Sequence, residues 1–283
     1  MAEFFRPDTL QEALEILGHY KEKAVIVNGG SDIVIDISQK RIAPSAIVYI
    51  GQLAELRYVR EEKGCVMLGG NMTYREMAQD LICQKIEGLI TAISNLGSPG
   101  VRAVATPAGN IGTAAPAADC ATMLMALKSE IVLVSEQGER KVPLQDFYLG
   151  RNRTVKRADE IIREICFPAI QLGEGTGYCK VARRKAQDIG KILVGARVQL
   201  EGDVISRASI SLGALNANIV RAFSLEEAVT GMKPAEARQY LKETFPKEAV
   251  LRESYFKEYK ELTTRAVVAQ AFSRALASAE RRK

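Results

Sequence analysis

The apolar positions of this chain fall into short runs of two different periods. Leu10, Ala13, Leu14 and Leu17 share one face of a helix, which Thr9-Leu10-Gln11-Glu12 opens as a capping box and Gly18 is expected to end. Residues 24–27 then read as a strand, 32–37 as a short helix and 46–50 as the next strand. Residues 57–60 and 65–68 form a hairpin about Glu62-Lys63-Gly64, and Thr73-Tyr74-Arg75-Glu76 is a second capping box. Ile86, Leu89, Ile90 and Ile93 place a helix over 85–96 with Gly97 as its stop. A helix over 119–127, a hairpin of 131–134 with 140–142, and a strand near 161–167 complete this part.

Beyond residue 170 the pattern changes. Gln171-Leu172-Gly173-Glu174-Gly175-Thr176-Gly177 is rich in glycine and poor in bulk, and it reads as a linker. Residues 192–199 and 204–215 are strand-like and joined through Glu201-Gly202-Asp203; helices follow at 224–230, 234–245 and 255–278. A sheet under a terminal group of helices is an α+β arrangement. The expected domains are 1–170, with subdomains of about 1–52 and 53–170, and a smaller α+β domain over 176–283 with an antiparallel sheet and helices.

Composition narrows the function classes. Apolar residues make up 47% of the 283, enough for a real core, and charged residues 26%. The net charge is +5, but the charges interleave, as in Arg60-Glu61-Glu62-Lys63, and the chain lacks tryptophan; no nucleic-acid partner is expected. The basic stretches at 151–157 and 180–185 are the exceptions. No apolar run approaches the ~18 residues of a membrane span, and the first residues do not resemble a signal peptide, so a cytoplasmic protein is expected. The five cysteines have no metal-site spacing, and His19 is the sole histidine. With neither a metal cluster nor a Ser-His-Asp or Cys-His unit, any enzymatic chemistry falls to a cofactor.

Two glycine motifs, both read as loops, point to its chemistry. Val27-Asn28-Gly29-Gly30-Ser31-Asp32 and Thr106-Pro107-Ala108-Gly109-Asn110-Ile111-Gly112 each set glycine beside small polar residues after an apolar run, as a backbone does when its N–H groups approach a phosphate. A tight turn is the alternative for Gly29-Gly30 taken alone. Neither Gly-x-Gly-x-x-Gly nor Gly-Lys-Ser/Thr occurs, which removes the Rossmann and P-loop readings. Asp119, at a helix start, either caps that helix or accepts from a ribose or adenine.

These residues carry a family resemblance. The first motif resembles the Ala-Gly-Gly-Thr-Asp loop of the FAD-binding medium subunits of molybdenum hydroxylases, the xanthine dehydrogenase and carbon monoxide dehydrogenase group. Arg102 through Gly112 is similar to their Arg-Asn-x-x-Thr-x-Gly-Gly-Asn-Ile-Gly. Ala115-Pro116-Ala117-Ala118-Asp119 matches their Ser-Pro-x-x-Asp, and Lys180 through Ile189 their Lys-x-x-x-Arg-x-x-x-Asp-Ile. The resemblance implies a two-part FAD-binding domain of the PCMH/vanillyl-alcohol-oxidase type and a flavoprotein C-terminal domain. It also implies a diphosphate held by Val27, Asn28, Gly29, Gly30, Ser31 and Asp32 and by Thr106, Ala108, Gly109 and Asn110. Asp119 is implied on the adenosine side, Ile162 packing on the cofactor, and Lys180 and Arg184 reaching the flavin or phosphates.

The partners it implies are a small subunit with two 2Fe–2S clusters and a large molybdenum-cofactor subunit, with NAD or another acceptor taking the electrons. Three positions depart from the family pattern: Ala108 stands for a glycine, Pro107 removes an N–H, and Ala103 replaces an asparagine. The alternatives are a stand-alone FAD-dependent oxidoreductase of the same fold and a flavin-free assembly subunit.

Overall fold

The computed structural model describes residues 2–251 and 257–283. Its chain builds three sheets in succession, a small parallel one and two larger antiparallel ones, together with a two-stranded ribbon. The class is the expected α+β.

The first sheet orders Glu3–Phe5, Ala46–Tyr49 and Ala24–Val27, with all pairings parallel. Helix Leu10–Tyr20 covers it because Ala13, Leu14 and Leu17 bury one face against Val48, Ile50, Leu53 and Leu56. Its capping box closes only in part. The Thr9 hydroxyl accepts from Glu12 N, whereas the Glu12 carboxylate accepts from Asp8 N rather than Thr9 N. Gly18 does not stop the helix, which continues to Tyr20 and ends where Lys21 takes a positive φ of 46°.

The second sheet runs Val59–Glu62, Cys65–Gly69, Ile161–Pro168, Glu130–Ser135, Gly138–Pro143. Its central strand comes last in sequence and joins two hairpins, pairing with Cys65–Gly69 on one side and Glu130–Ser135 on the other. Between Ile162 and Glu164 that strand carries a register shift, a bulge that changes which way its side chains face. Helix Asp119–Ala126 has all eight residues buried, with no polar face to give to solvent. It lies between this sheet and the third, touching strands Ile192–Glu201 and Val204–Gly213.

The third sheet orders Glu174–Val181, Ile192–Glu201, Val204–Gly213 and Val220–Arg221, and helix Lys257–Glu280 packs along its first strand. The expected start of that helix, Tyr255, lies outside the described residues. The glycine-rich stretch read as a linker is largely strand. A Cβ on Gly175 would fall 2.1 Å from Ala279 N, and one on Gly177 2.1 Å from the Ala271 carbonyl oxygen. Here glycine admits the backbone of the terminal helix to the strand, a packing role that composition alone cannot separate from flexibility. Only residues 169–173 form the connection. Arg197 anchors it, donating to the carbonyls of Pro168 and Ala169 at 3.0 Å each and pairing with buried Glu174.

Candidate functional site

A cavity of about 430 Å³ opens where the parallel sheet meets the second sheet, and both glycine motifs line it. Strand Ala24–Val27 delivers the first motif to its rim. Asn28 donates its side-chain N–H to the Gly70 carbonyl at 3.1 Å, fixing the turn to the neighbouring sheet. Gly30 takes a φ of +69°, a conformation that suits glycine. At Gly29 a Cβ would fall 1.8 Å from the Val104 carbonyl oxygen, so this glycine lets the backbone leading to the second motif touch the first.

The consequence is a row of donors. Among the described residues, the N–H groups of Gly29, Gly30, Ser31 and Asp32 find no acceptor, and runs of such unpaired amides are where proteins bind anions. Val27 differs from the rest of its motif. It is 7% exposed and lies beneath the turn instead of on the cavity wall.

The second motif is a helix, Pro107–Thr113, rather than a loop. Thr106 is its N-cap, and its hydroxyl accepts from Gly109 N at 3.1 Å. Pro107 occupies the first helical position, where a missing N–H leaves no intrahelical bond unmade. The N–H of Gly109 is thus engaged by Thr106, and that of Asn110 donates to the Thr106 carbonyl; Ala108 N is the donor left over. Ala108 is 5% exposed, and its Cβ lies 3.5 Å from the position a Cβ on Gly70 would take. Its methyl therefore packs in the core.

Ile162 lines the cavity beside the bulge, with Gly112 opposite: a Cβ there would lie 3.7 Å from Ile162 Cδ1. Two wall residues each carry a buried side-chain atom with no hydrogen-bond partner, Asn110 its Oδ1 and Tyr74 its hydroxyl, the latter turned toward Cys120 and Asp119 rather than the cavity. Burial, and after it the Cys120 thiol and Asp119, raise the Tyr74 hydroxyl well above the usual tyrosine range, so it remains a donor. Mostly apolar walls and a row of free amides fit a cofactor carrying a diphosphate.

Three expected site residues are not among those lining this cavity. Asp119 accepts from the Tyr178 hydroxyl at 2.7 Å and from Lys180 Nζ at 3.0 Å, while Lys180 also donates to the Asn95 carbonyl at 3.0 Å. This buried cluster joins helix Asp119–Ala126 to strand Glu174–Val181, and neither Asp119 nor Lys180 lines the cavity. Burial pushes the Asp119 carboxyl up, against the opposing pull of Lys180 and Tyr178. Arg184, with 68% of its side chain exposed, donates to the Gln187 carbonyl and pairs with Asp188 within its own loop. The Asp188 side chain, 3% exposed, accepts from the backbone N–H groups of Arg183 and Arg184 and shapes that loop.

Sequence reasoning passed over Tyr74, Leu96 and Lys156, all on the cavity wall. Lys156 lies in the basic stretch already noted at 151–157; Tyr74 and Leu96 carried no signal beyond helix capping and helix periodicity. Among the described residues no group of three or more His, Cys, Asp or Glu could hold a metal ion, and no helix is long and apolar enough to cross a membrane.

Comparisons with known proteins bear on this geometry. Residues 1–170 match the family described as the FAD binding domain in molybdopterin dehydrogenase, and residues 177–275 the CO dehydrogenase flavoprotein C-terminal domain. The chain is 31% identical over 235 residues to the nicotinate dehydrogenase FAD-subunit of Eubacterium barkeri, covering 81% of this chain and 79% of that protein. It is 28% identical over 211 residues to the carbon monoxide dehydrogenase medium chain of Hydrogenophaga pseudoflava, covering 74% and 73%. A solved carbon monoxide dehydrogenase structure from the same organism superposes with a TM-score of 0.91 at 26% identity, over 98% of both chains. With the cavity, the free amides and both family matches in agreement, the chain belongs to the FAD-binding medium subunits of the molybdenum hydroxylase family of oxidoreductases.

Proposed function

We propose that this chain is the electron-transfer subunit of a molybdenum-containing hydroxylase or dehydrogenase. It receives electrons from the two 2Fe–2S clusters of a small partner subunit, which draws them from a large molybdenum-cofactor subunit, and delivers them to an external acceptor such as NAD. When bound, FAD supplies a one- and two-electron carrier between those clusters and the acceptor. By itself the chain hydroxylates nothing. Its setting is the cytoplasm, and its two units are residues 1–170 and 176–283.

The observation that carries this reading is the row of unpartnered N–H groups from Gly29 to Asp32 in residues that line the cavity. These four amides hold the diphosphate, with Val27 fixing the turn from below and the Ser31 hydroxyl beside them. Ala108 N and the Asn110 side chain add polar contacts from the opposite wall, and Thr106 and Gly109 serve by holding that helix start in shape. Ile162 and Leu96 shield the cofactor from water. Asp119 and Lys180 act through the domain junction, and Arg184 through its own loop, instead of by contact with the cofactor.

The visible spectrum of the purified chain tests the reading. A flavin band, present as isolated or after adding FAD, is the expected result; its absence under both conditions sinks the proposal. Co-purification with iron–sulfur and molybdenum subunits is expected next, whereas substrate oxidation by the isolated chain favours a stand-alone oxidoreductase.

A further inference from the structure

Lys156 sits between the short strand Arg153–Thr154 and strand Ile161–Pro168, inside the basic stretch that neither glycine motif explains. Among the described residues it is the one cationic side chain on the cavity wall, and Asp32 is the one anionic side chain. The glycine motifs bring only neutral donors, so a diphosphate held by them alone is left without a counter-charge.

The surroundings of Lys156 leave its charge available. Its ammonium donates to the carbonyls of Arg157 and Glu160, each at 3.0 Å, which occupies two of its three N–H groups. The third has no acceptor among the described residues. The neighbouring Glu160 carboxylate is already taken: Arg140 Nε donates to it at 2.6 Å, Arg157 N at 2.6 Å and Arg157 Nε at 3.1 Å. Burial draws the Lys156 pKa down, with Glu160 and then Asp159 opposing, which is the condition of a cation without a dedicated partner. The segment lies at the C-terminal end of helix Pro107–Thr113, where Asn152 N donates to the Ala114 carbonyl.

We propose that Lys156 is a further cofactor-binding residue, whose ammonium donates its free N–H to the anionic adenosine-diphosphate half of FAD. The inference rests on the FAD-binding reading above and deepens it. It makes the affinity for this half of the cofactor depend on one side chain that the glycine motifs do not contain.

The test uses the full chain freed of flavin, with FAD, ADP and FMN as probes in calorimetric titrations. Lys156→Met is expected to weaken FAD and ADP about tenfold, with FMN changed less than about twofold and Lys156→Arg staying within about threefold of the parent, as loss of one charge-assisted hydrogen bond requires. Unchanged FAD and ADP affinities in Lys156→Met overturn the inference. So does an equal loss for all three probes accompanied by a lower melting temperature of the flavin-free chain, the mark of a purely structural lysine. Acetylation of the unmutated protein gives a second measurement independent of folding: ADP should protect Lys156, and no protection overturns the inference. If the parent chain binds neither FAD nor ADP, the FAD reading itself falls and takes this inference with it.

Discussion

The two glycine motifs look alike in sequence and do different work. In the first, glycine shapes an open turn: Gly30 takes a positive φ, Gly29 admits the Val104 carbonyl, and four successive amides stay free. In the second, a helix consumes most of the donors: Thr106 holds Gly109 N and the Asn110 N–H, leaving Ala108 N. A glycine-rich stretch therefore cradles an anion only where its N–H groups are not spent on secondary structure. Departures from the family pattern in the second motif should cost little, and substitutions in the first should cost most.

Gly29→Ala is the strongest challenge to that contrast. A Cβ 1.8 Å from a carbonyl oxygen forces the two backbones apart, so FAD affinity should fall by about a hundredfold or more, at the upper end of what overpacking strain costs. Gly112→Ala has ordinary contact distance to Ile162 and should leave flavin content unchanged in the same purification.

Asp119→Ala separates the junction from the cavity. Removing the carboxylate strands Lys180 as a buried cation, with an expected loss of about 3–5 kcal/mol in urea unfolding. The loss should be the same with and without FAD; a loss confined to the FAD-bound chain would return Asp119 to the binding site.

Smaller effects are expected within the second motif. Thr106→Ala removes the N-cap at about 1 kcal/mol of stability, read by thermal melting. Ala108→Gly restores the family residue and should not tighten FAD, because the methyl lies in the core, while the helix loses about 0.5–1 kcal/mol. Pro107→Ala is the smallest change, within ~0.5 kcal/mol in stability and about twofold in FAD affinity, since the first helical position has no N–H bond to restore.

Much of the local structure was legible. The strand over 24–27 appears at those residues, and the Thr73–Glu76 capping box closes in both directions. The capping box depends on neighbours within four residues and the strand announces itself as a short apolar run, both of which the chain states directly. The misreadings share one cause. Gly18, Gly175 and Gly177 look like stops and linkers, yet Gly18 lies within a helix and the other two meet the backbone of a helix about a hundred residues later. The motif from Thr106 to Gly112 reads as a loop because proline and glycine usually break helices, whereas proline in the first turn begins one.

The candidate site divides the same way. The first motif, Ala108 to Asn110 and Ile162 were legible through the family pattern and all line the cavity, except Val27 beneath it. The same pattern also named Asp119 and Lys180, which the fold pairs with each other.

By itself the sequence determined the α+β class, the family and the cofactor, because order and spacing of short motifs survive in one dimension. Only the tertiary structure decided which amides stay free, which glycines serve packing, and that Tyr74 and Lys156 share a wall with both motifs. Hydrogen-bond partners and burial are set by chain segments tens of residues apart, and the free N–H groups of the first motif exist because nothing from those segments reaches them.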